Sequence, residues 1–175
     1  HLLAALADRA GDKVHVLAAD SHVRARVSGV RGPKIIETLA HTFTDISARL
    51  DVTDWSQVAA TVEQTVHHSA FVVIATKIPP AGMETEFTDA LSRLTERHTV
   101  LVASATDPDE LRARRGRADA EEVFLAASAA LSQRADEAGA ADVRLAGALT
   151  LQASADLLPA RTADRYIELK KSGRL

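Results

Sequence analysis

The chain has 175 residues, 46% hydrophobic and 26% charged, and carries a formal net charge of -3 at pH 7. That balance fits a folded globular protein and argues against disorder, a collagen-like repeat or a membrane-spanning chain. The mildly negative charge supplies no basic field, which disfavours a dedicated nucleic-acid binder. At roughly 150 residues per domain, residues 1–175 read as a single domain. The chain starts at His1 and its one methionine is Met83, so the expectation is a domain incomplete at its N-terminus. With no cysteine there is no disulfide framework, zinc ribbon or cysteine nucleophile, in keeping with a cytoplasmic setting. Apolar runs such as Ala70 to Ala75 fall far short of the roughly 20 residues that span a bilayer.

In chain order, Leu2, Leu3, Leu6 and Ala10 have helical spacing, and Gly11 is placed to end that helix. Lys13 to Ala19 reads as a short buried strand. His22 to Val27 alternates Val23, Ala25 and Val27 with Arg24 and Arg26, the pattern of a sheet edge guarded by outward charge. Asp20-Ser21 supplies turn chemistry between them, so the pair predicts an antiparallel hairpin. Pro33 opens a helix with Ile35, Ile36, Leu39, Phe43 and Ile46 on its apolar side. Thr53 is the expected N-cap of the next helix, which carries Trp55, Val58, Ala59, Val62 and Val66.

Phe71 to Ala75 is a continuous apolar run, the signature of a central parallel strand covered on both faces. After Pro79-Pro80 and Gly82 comes a helix with Met83, Phe87, Ala90, Leu91 and Leu94, and Thr99 to Ala103 makes a second buried strand. A polar stretch, Asp107 to Arg117, leads to a helix from about Asp119 to Ala138, with Val123, Phe124, Ala127 and Leu131 inward. Val143 to Leu149 reads as the last strand, and 154–171 as a closing helix with Leu158, Thr162, Arg165, Tyr166 and Leu169 on one side. Strands alternating with helices predict an α/β fold: a mostly parallel sheet, helices on both faces, and an antiparallel hairpin at one edge.

The closing segment Asp164-Arg165-Tyr166-Ile167-Glu168-Leu169-Lys170-Lys171-Ser172-Gly173-Arg174-Leu175 resembles the final motif of domain-of-unknown-function family 58. Other segments fall in that family's order: Ala10-Gly11-Asp12-Lys13-Val14, Asp54-Trp55, Arg97-His98 before Val100-Leu101-Val102, and Asp107-Pro108. These are bacterial proteins with a von Willebrand factor A-like, Rossmann-like domain, often encoded beside MoxR-type AAA ATPases. The resemblance implies a protein-interaction module, not an enzyme, that assembles or regulates a complex with such an ATPase. It also implies a parent protein tethered to the cytoplasmic membrane, with no membrane contact from this segment. The fold's first central strand would lie between the Lys13 and Phe71 strands and is expected upstream of His1.

Metal-binding members of that fold gather magnesium ligands from three loops. Here the first set would be upstream, the second loop reads Val30-Arg31-Gly32-Pro33-Lys34 without threonine, and the expected Thr-Asp pair reads Thr76-Lys77. A lysine where a carboxylate belongs points to a degenerate metal-ion-dependent adhesion site and no cofactor. The alternative is a divalent-metal site completed by upstream residues with Thr76 and Asp107.

Open parallel sheets present ligands at the carboxyl ends of their strands. That edge carries Asp20, Thr76, Lys77, Ser104, Thr106 and Asp107, the candidate interaction surface. Asp20-Ser21-His22 holds catalytic residue types, yet successive turn residues do not converge as a triad, and no Gly-x-Ser-x-Gly elbow or phosphate loop occurs. An unrelated α/β hydrolase is therefore the weakest reading. His67-His68 lacks the i, i+4 spacing of a helical metal pair. Arg112, Arg114, Arg115 and Arg117 form a basic cluster without aromatic neighbours, the composition of a solvated loop.

Overall fold

Helices and strands follow one another through the computed structural model, which describes residues 2–32, 34–47, 51–106 and 120–175. These fall into two compact units, His1–His68 and Ser69–Leu175. Among the described residues no helix is long and apolar enough to cross a membrane.

In the first unit, helix α1 (Leu2–Arg9) ends as its spacing predicts. Gly11 takes φ +80°, the Asp12 N–H donates to the Ala7 carbonyl at 2.9 Å, and the Gly11 N–H donates to Asp8 at 3.0 Å. This double closure needs a left-handed residue, which glycine adopts without a Cβ penalty. Strands β1 (Val14–Ala19) and β2 (Val23–Val30) pair antiparallel as the expected hairpin. They form a two-stranded sheet of their own. Helices α2 (Ile35–Phe43) and α3 (Trp55–Thr65) follow. Ala4, Val27, Ile35 and Leu39 form a buried core, with Val14, Val16, Val30 and Phe43 packed against it.

Three expectations need correction in this unit. Ile36 is 37% exposed, and Ile46 lies beyond the end of α2. Arg24 does not point outward: its side chain is largely covered and is paired with Asp20 at 3.0 Å, whereas Arg26 is exposed. The α3 cap is Asp54, not Thr53, because Asp54 Oδ1 sits 2.8 Å from the Gln57 N–H it accepts. Pro33 lies outside the described residues.

The second unit is a parallel sheet of β3 (Phe71–Ala75), β4 (Thr99–Thr106) and β5 (Leu149–Ser154), with β4 in the middle. Val100 to Ala103 of β4 are buried, as a central strand requires. Helix α4 (Thr85–Thr95) joins β3 to β4, α5 (Ala120–Leu145) leads into β5, and α6 (Leu158–Lys171) closes the chain. Register assigns the faces. Phe71 pairs with Thr99 and Leu101 with Leu149, so those side chains share one side. On that side Phe71 stacks on Tyr166 of α6, with ring centroids 6.1 Å apart. Thr150 faces the other side, where Arg144 near the end of α5 reaches its hydroxyl at 3.3 Å. Helices α4 and α5 pack together over the sheet, as successive right-handed crossovers demand.

The predicted α/β class, with a parallel sheet and an antiparallel hairpin, is what the described residues form, but the hairpin expected at one edge of that sheet is a separate two-stranded sheet in the first unit. Several boundaries move. β3 is an edge strand of its sheet among the described residues, not a central one. Met83 precedes α4 and is 74% exposed. The 143–149 strand is overturned, since Val143 to Leu145 still belong to α5. Gly147 (φ +86°) then closes the helix, with Ala148 N–H bonded to the Val143 carbonyl, and β5 starts at Leu149. Leu131 and Ala127 are exposed, not inward. The inward facing expected of Val123 and Phe124 lies outside the described side chains.

Candidate functional site

The carboxyl ends of β3, β4 and β5 define the expected surface in the second unit. Beyond β3 the Thr76 N–H continues the ladder to the Ala103 carbonyl at 3.1 Å, which fixes the backbone that carries Thr76 and Lys77. Thr76 is half-buried and Lys77 exposed. Ile78, 2% exposed, then turns inward and anchors this loop. Thr106 ends β4 half-buried. Ser104 is only 5% exposed, inside β4 on the side shared with Val100 and Val102, so its hydroxyl is not part of an exposed surface. Asp107 and the cluster Arg112, Arg114, Arg115 and Arg117 lie outside the described residues.

At the end of β5, Ser154 and Asp156 stand where no candidate was expected. The Ser154 hydroxyl donates to the Asp156 carboxyl, and with the N–H groups of Asp156 and Leu157 it outweighs the opposing effect of desolvation. The carboxyl is thereby held below the ordinary carboxylate range. The Ser-x-Asp spacing before a helix with Pro159 in its first turn is a readable helix-start signal. Placing the last strand at 143–149 hid it.

Asp20 belongs to the first unit, at the turn of the hairpin. Its carboxylate accepts the His22 N–H at 3.2 Å and the Arg24 guanidinium at 3.0 Å, while its backbone carbonyl accepts the Asp54 N–H at 3.0 Å. Desolvation pushes the carboxyl up, but the His22 N–H and the Arg24 cation outweigh it and leave the carboxyl below its ordinary value. Asp20 is therefore occupied in holding the turn. The Ser21 hydroxyl and the Asp20 carboxylate both approach the same nitrogen, His22 Nδ1, at 3.1 and 3.3 Å. A triad needs the carboxylate and the nucleophile on opposite ring nitrogens of the histidine, so these three residues make none.

The described residues do not suit a divalent-metal site. Magnesium prefers an octahedron of hard oxygens. Thr76 offers one neutral oxygen, Lys77 beside it brings a cation, and the Asp156 carboxylate is engaged by Ser154 and two backbone N–H groups. Among the described residues no three His, Asp or Glu side chains gather as ligands. His67 and His68 are exposed beyond the end of α3, and His98 is buried just before β4.

Taken together, the strand ends bring Thr76, Lys77, Thr106, Ser154 and Asp156 onto the carboxyl side of one sheet: a small polar surface that holds, among these described residues, one cation and one carboxylate. Compared with protein-family models, curated proteins and solved structures, the chain finds no match in any of the three.

Proposed function

We propose that the chain is a von Willebrand factor A-like domain acting as a non-catalytic protein-interaction module. Its partner in this reading is a MoxR-type AAA ATPase, which it helps to assemble or regulate. The observation that carries the reading is the parallel sheet whose strand ends hold a rigid backbone under mixed polar groups, with Lys77 exposed beside Thr76. The choice of partner rests on the resemblance of the closing motif and of the segments that precede it.

The mechanism is recognition. The ladder bond from Thr76 and the buried Ile78 anchor the backbone on both sides of Lys77, which limits the ordering entropy lost when a partner docks. Lys77 supplies a compact point charge for an acidic partner group. The Asp156 carboxylate, held by the Ser154 hydroxyl and the Asp156 and Leu157 N–H groups, fixes the negative charge of this surface in place and sets the orientation.

The test is association of the intact protein with its neighbouring ATPase, measured with ADP, with a non-hydrolysable ATP analogue and without nucleotide. Binding in at least one state, weakened about tenfold or more by Lys77→Glu, supports the module. Absence of binding in all three states removes the ATPase as partner.

A further inference from the structure

The hairpin of the first unit has two faces of opposite chemistry. Val14, Val16 and Val30 pack against the core that Val27 joins. By the two-residue period of a strand, Lys13, His15, Arg26 and Ser28 turn to the other face, and all four are exposed. Val14 pairs with Val30 and Val16 with Val27, so two residues of β2, Ser28 and Gly29, stand against one of β1, His15. This is a β-bulge, and Gly29 supplies its left-handed residue at φ +65°.

The bulge draws the polar side chains together. The Gly29 N–H donates to His15 Nδ1 at 3.2 Å. A ring nitrogen that accepts carries no proton, so the neutral imidazole holds its proton on Nε2 and offers a donor there. Arg26 Nε donates to Ser28 Oγ at 3.1 Å, which lays the guanidinium along β2 towards the residues that oppose His15. Ser28 accepts that bond and keeps its own O–H to give. Lys13 and Arg26 are the charged groups that act on the His15 ring, and both are cations. Neither has a carboxylate partner among the described residues, whereas Arg24 on the same strand is neutralised by Asp20 at 3.0 Å.

We infer that the outer face of this bulge binds a phosphate group, with Lys13, Arg26, the His15 Nε2–H and the Ser28 hydroxyl as its donors. Two cations without counter-charge, set beside two neutral donors, match a tetrahedral dianion better than the single charge of a carboxylate. Arg26 keeps its terminal N–H groups for phosphate oxygens, and Lys13 adds a compact point charge. The ligand class is free phosphate or a small phosphate monoester. The site shares no residue with the strand-end surface, and its test does not depend on the ATPase.

Inorganic phosphate and glycerol 3-phosphate are each titrated into the full chain at about pH 7.5, with sodium acetate at matched ionic strength as control. NMR follows the His15 imidazole and the Gly29 amide. Both resonances shift saturably with a phosphate probe and not with acetate. The His15 pKa rises in the bound state, because the anion favours the imidazolium that Lys13 and Arg26 disfavour. Lys13→Gln and Arg26→Gln each weaken binding about fivefold or more, while Lys171→Gln, the same charge change in the second unit, leaves it unchanged. Tighter binding of glycerol 3-phosphate assigns the site to a monoester, and tighter binding of inorganic phosphate assigns it to the free ion. Shifts that never saturate, an equal response to acetate, or an equal loss in Lys171→Gln overturns the proposal.

Discussion

Gly139 and His15 show how single side chains decide local behaviour. Alanine at an exposed helix position ordinarily gains about 1 kcal/mol over glycine. At Gly139 the added carbon would lie 2.2 Å from the Pro79 carbonyl oxygen, a backbone atom unable to rotate aside. Overpacking of this kind costs about 1–3 kcal/mol, so Gly139→Ala is expected to lower the denaturant midpoint of the second unit rather than raise it. His15 works through its charge state. Its Nδ1 accepts the Gly29 N–H at 3.2 Å, which only the neutral ring can do. Desolvation, then Lys13, then Arg26, hold its pKa below the ordinary histidine value. The unfolded chain thus binds the proton first on acidification. The His15 contribution is complete above about pH 6.5 and is lost as pH falls through the lowered pKa. An NMR titration of the imidazole, with melting of the hairpin at pH 5 and pH 8, checks both parts. Arg26→Gln should move the imidazole pKa back upward.

At the scale of elements, capping and ladder geometry make two further predictions. Asp54→Ala removes the side-chain acceptor for the Gln57 N–H and should cost about 1 kcal/mol, whereas Thr53→Ala should change stability little. Urea titration of the two variants separates the capping assignments. In the parallel sheet, the bonds from Thr76 N–H to Ala103 and from Thr99 N–H to Ala70 fix which β3 groups face β4. By the two-residue period, Val72 and Ile74 face β4 as Thr76 does, while Phe71, Val73 and Ala75 face the open edge. Hydrogen exchange should alternate accordingly, slow at 72, 74 and 76 and faster at 71, 73 and 75. Uniform protection would mean that a further strand or segment covers this edge.

Element types were largely legible in the chain because burial periodicity and glycine stops are local signals: Gly11 ends α1, and Phe71–Ala75 is a strand to the residue. Two kinds of feature were not. Val143-Arg144-Leu145 alternates like a strand, yet Val143 packs inward from a helix that does not close until Gly147, and only tertiary contact decides between the periods. Likewise an all-apolar run states that a strand is covered on its faces but not how many neighbours it has, which is why β3 read as central.

For the whole molecule, the same limit applies to the candidate surface. Thr76 and Lys77 follow from the end of β3, which was read correctly, and both lie at the sheet's carboxyl side. Ser104 was included because β4 was ended at Ala103; the strand runs on to Thr106 and buries it. Ser154 and Asp156 were missed through the misplaced β5. The corrected surface is narrower, with an exposed lysine and an ionised aspartate on loops held by strand ladders and a helix start. Recognition by this surface is the central claim, and amide hydrogen exchange on the protein with and without the proposed partner, a MoxR-type ATPase, tests it most directly. The account predicts added protection at Thr76–Lys77 and at Ser154–Leu157 in the complex. A complex in which both segments exchange as fast as in the free protein would contradict it.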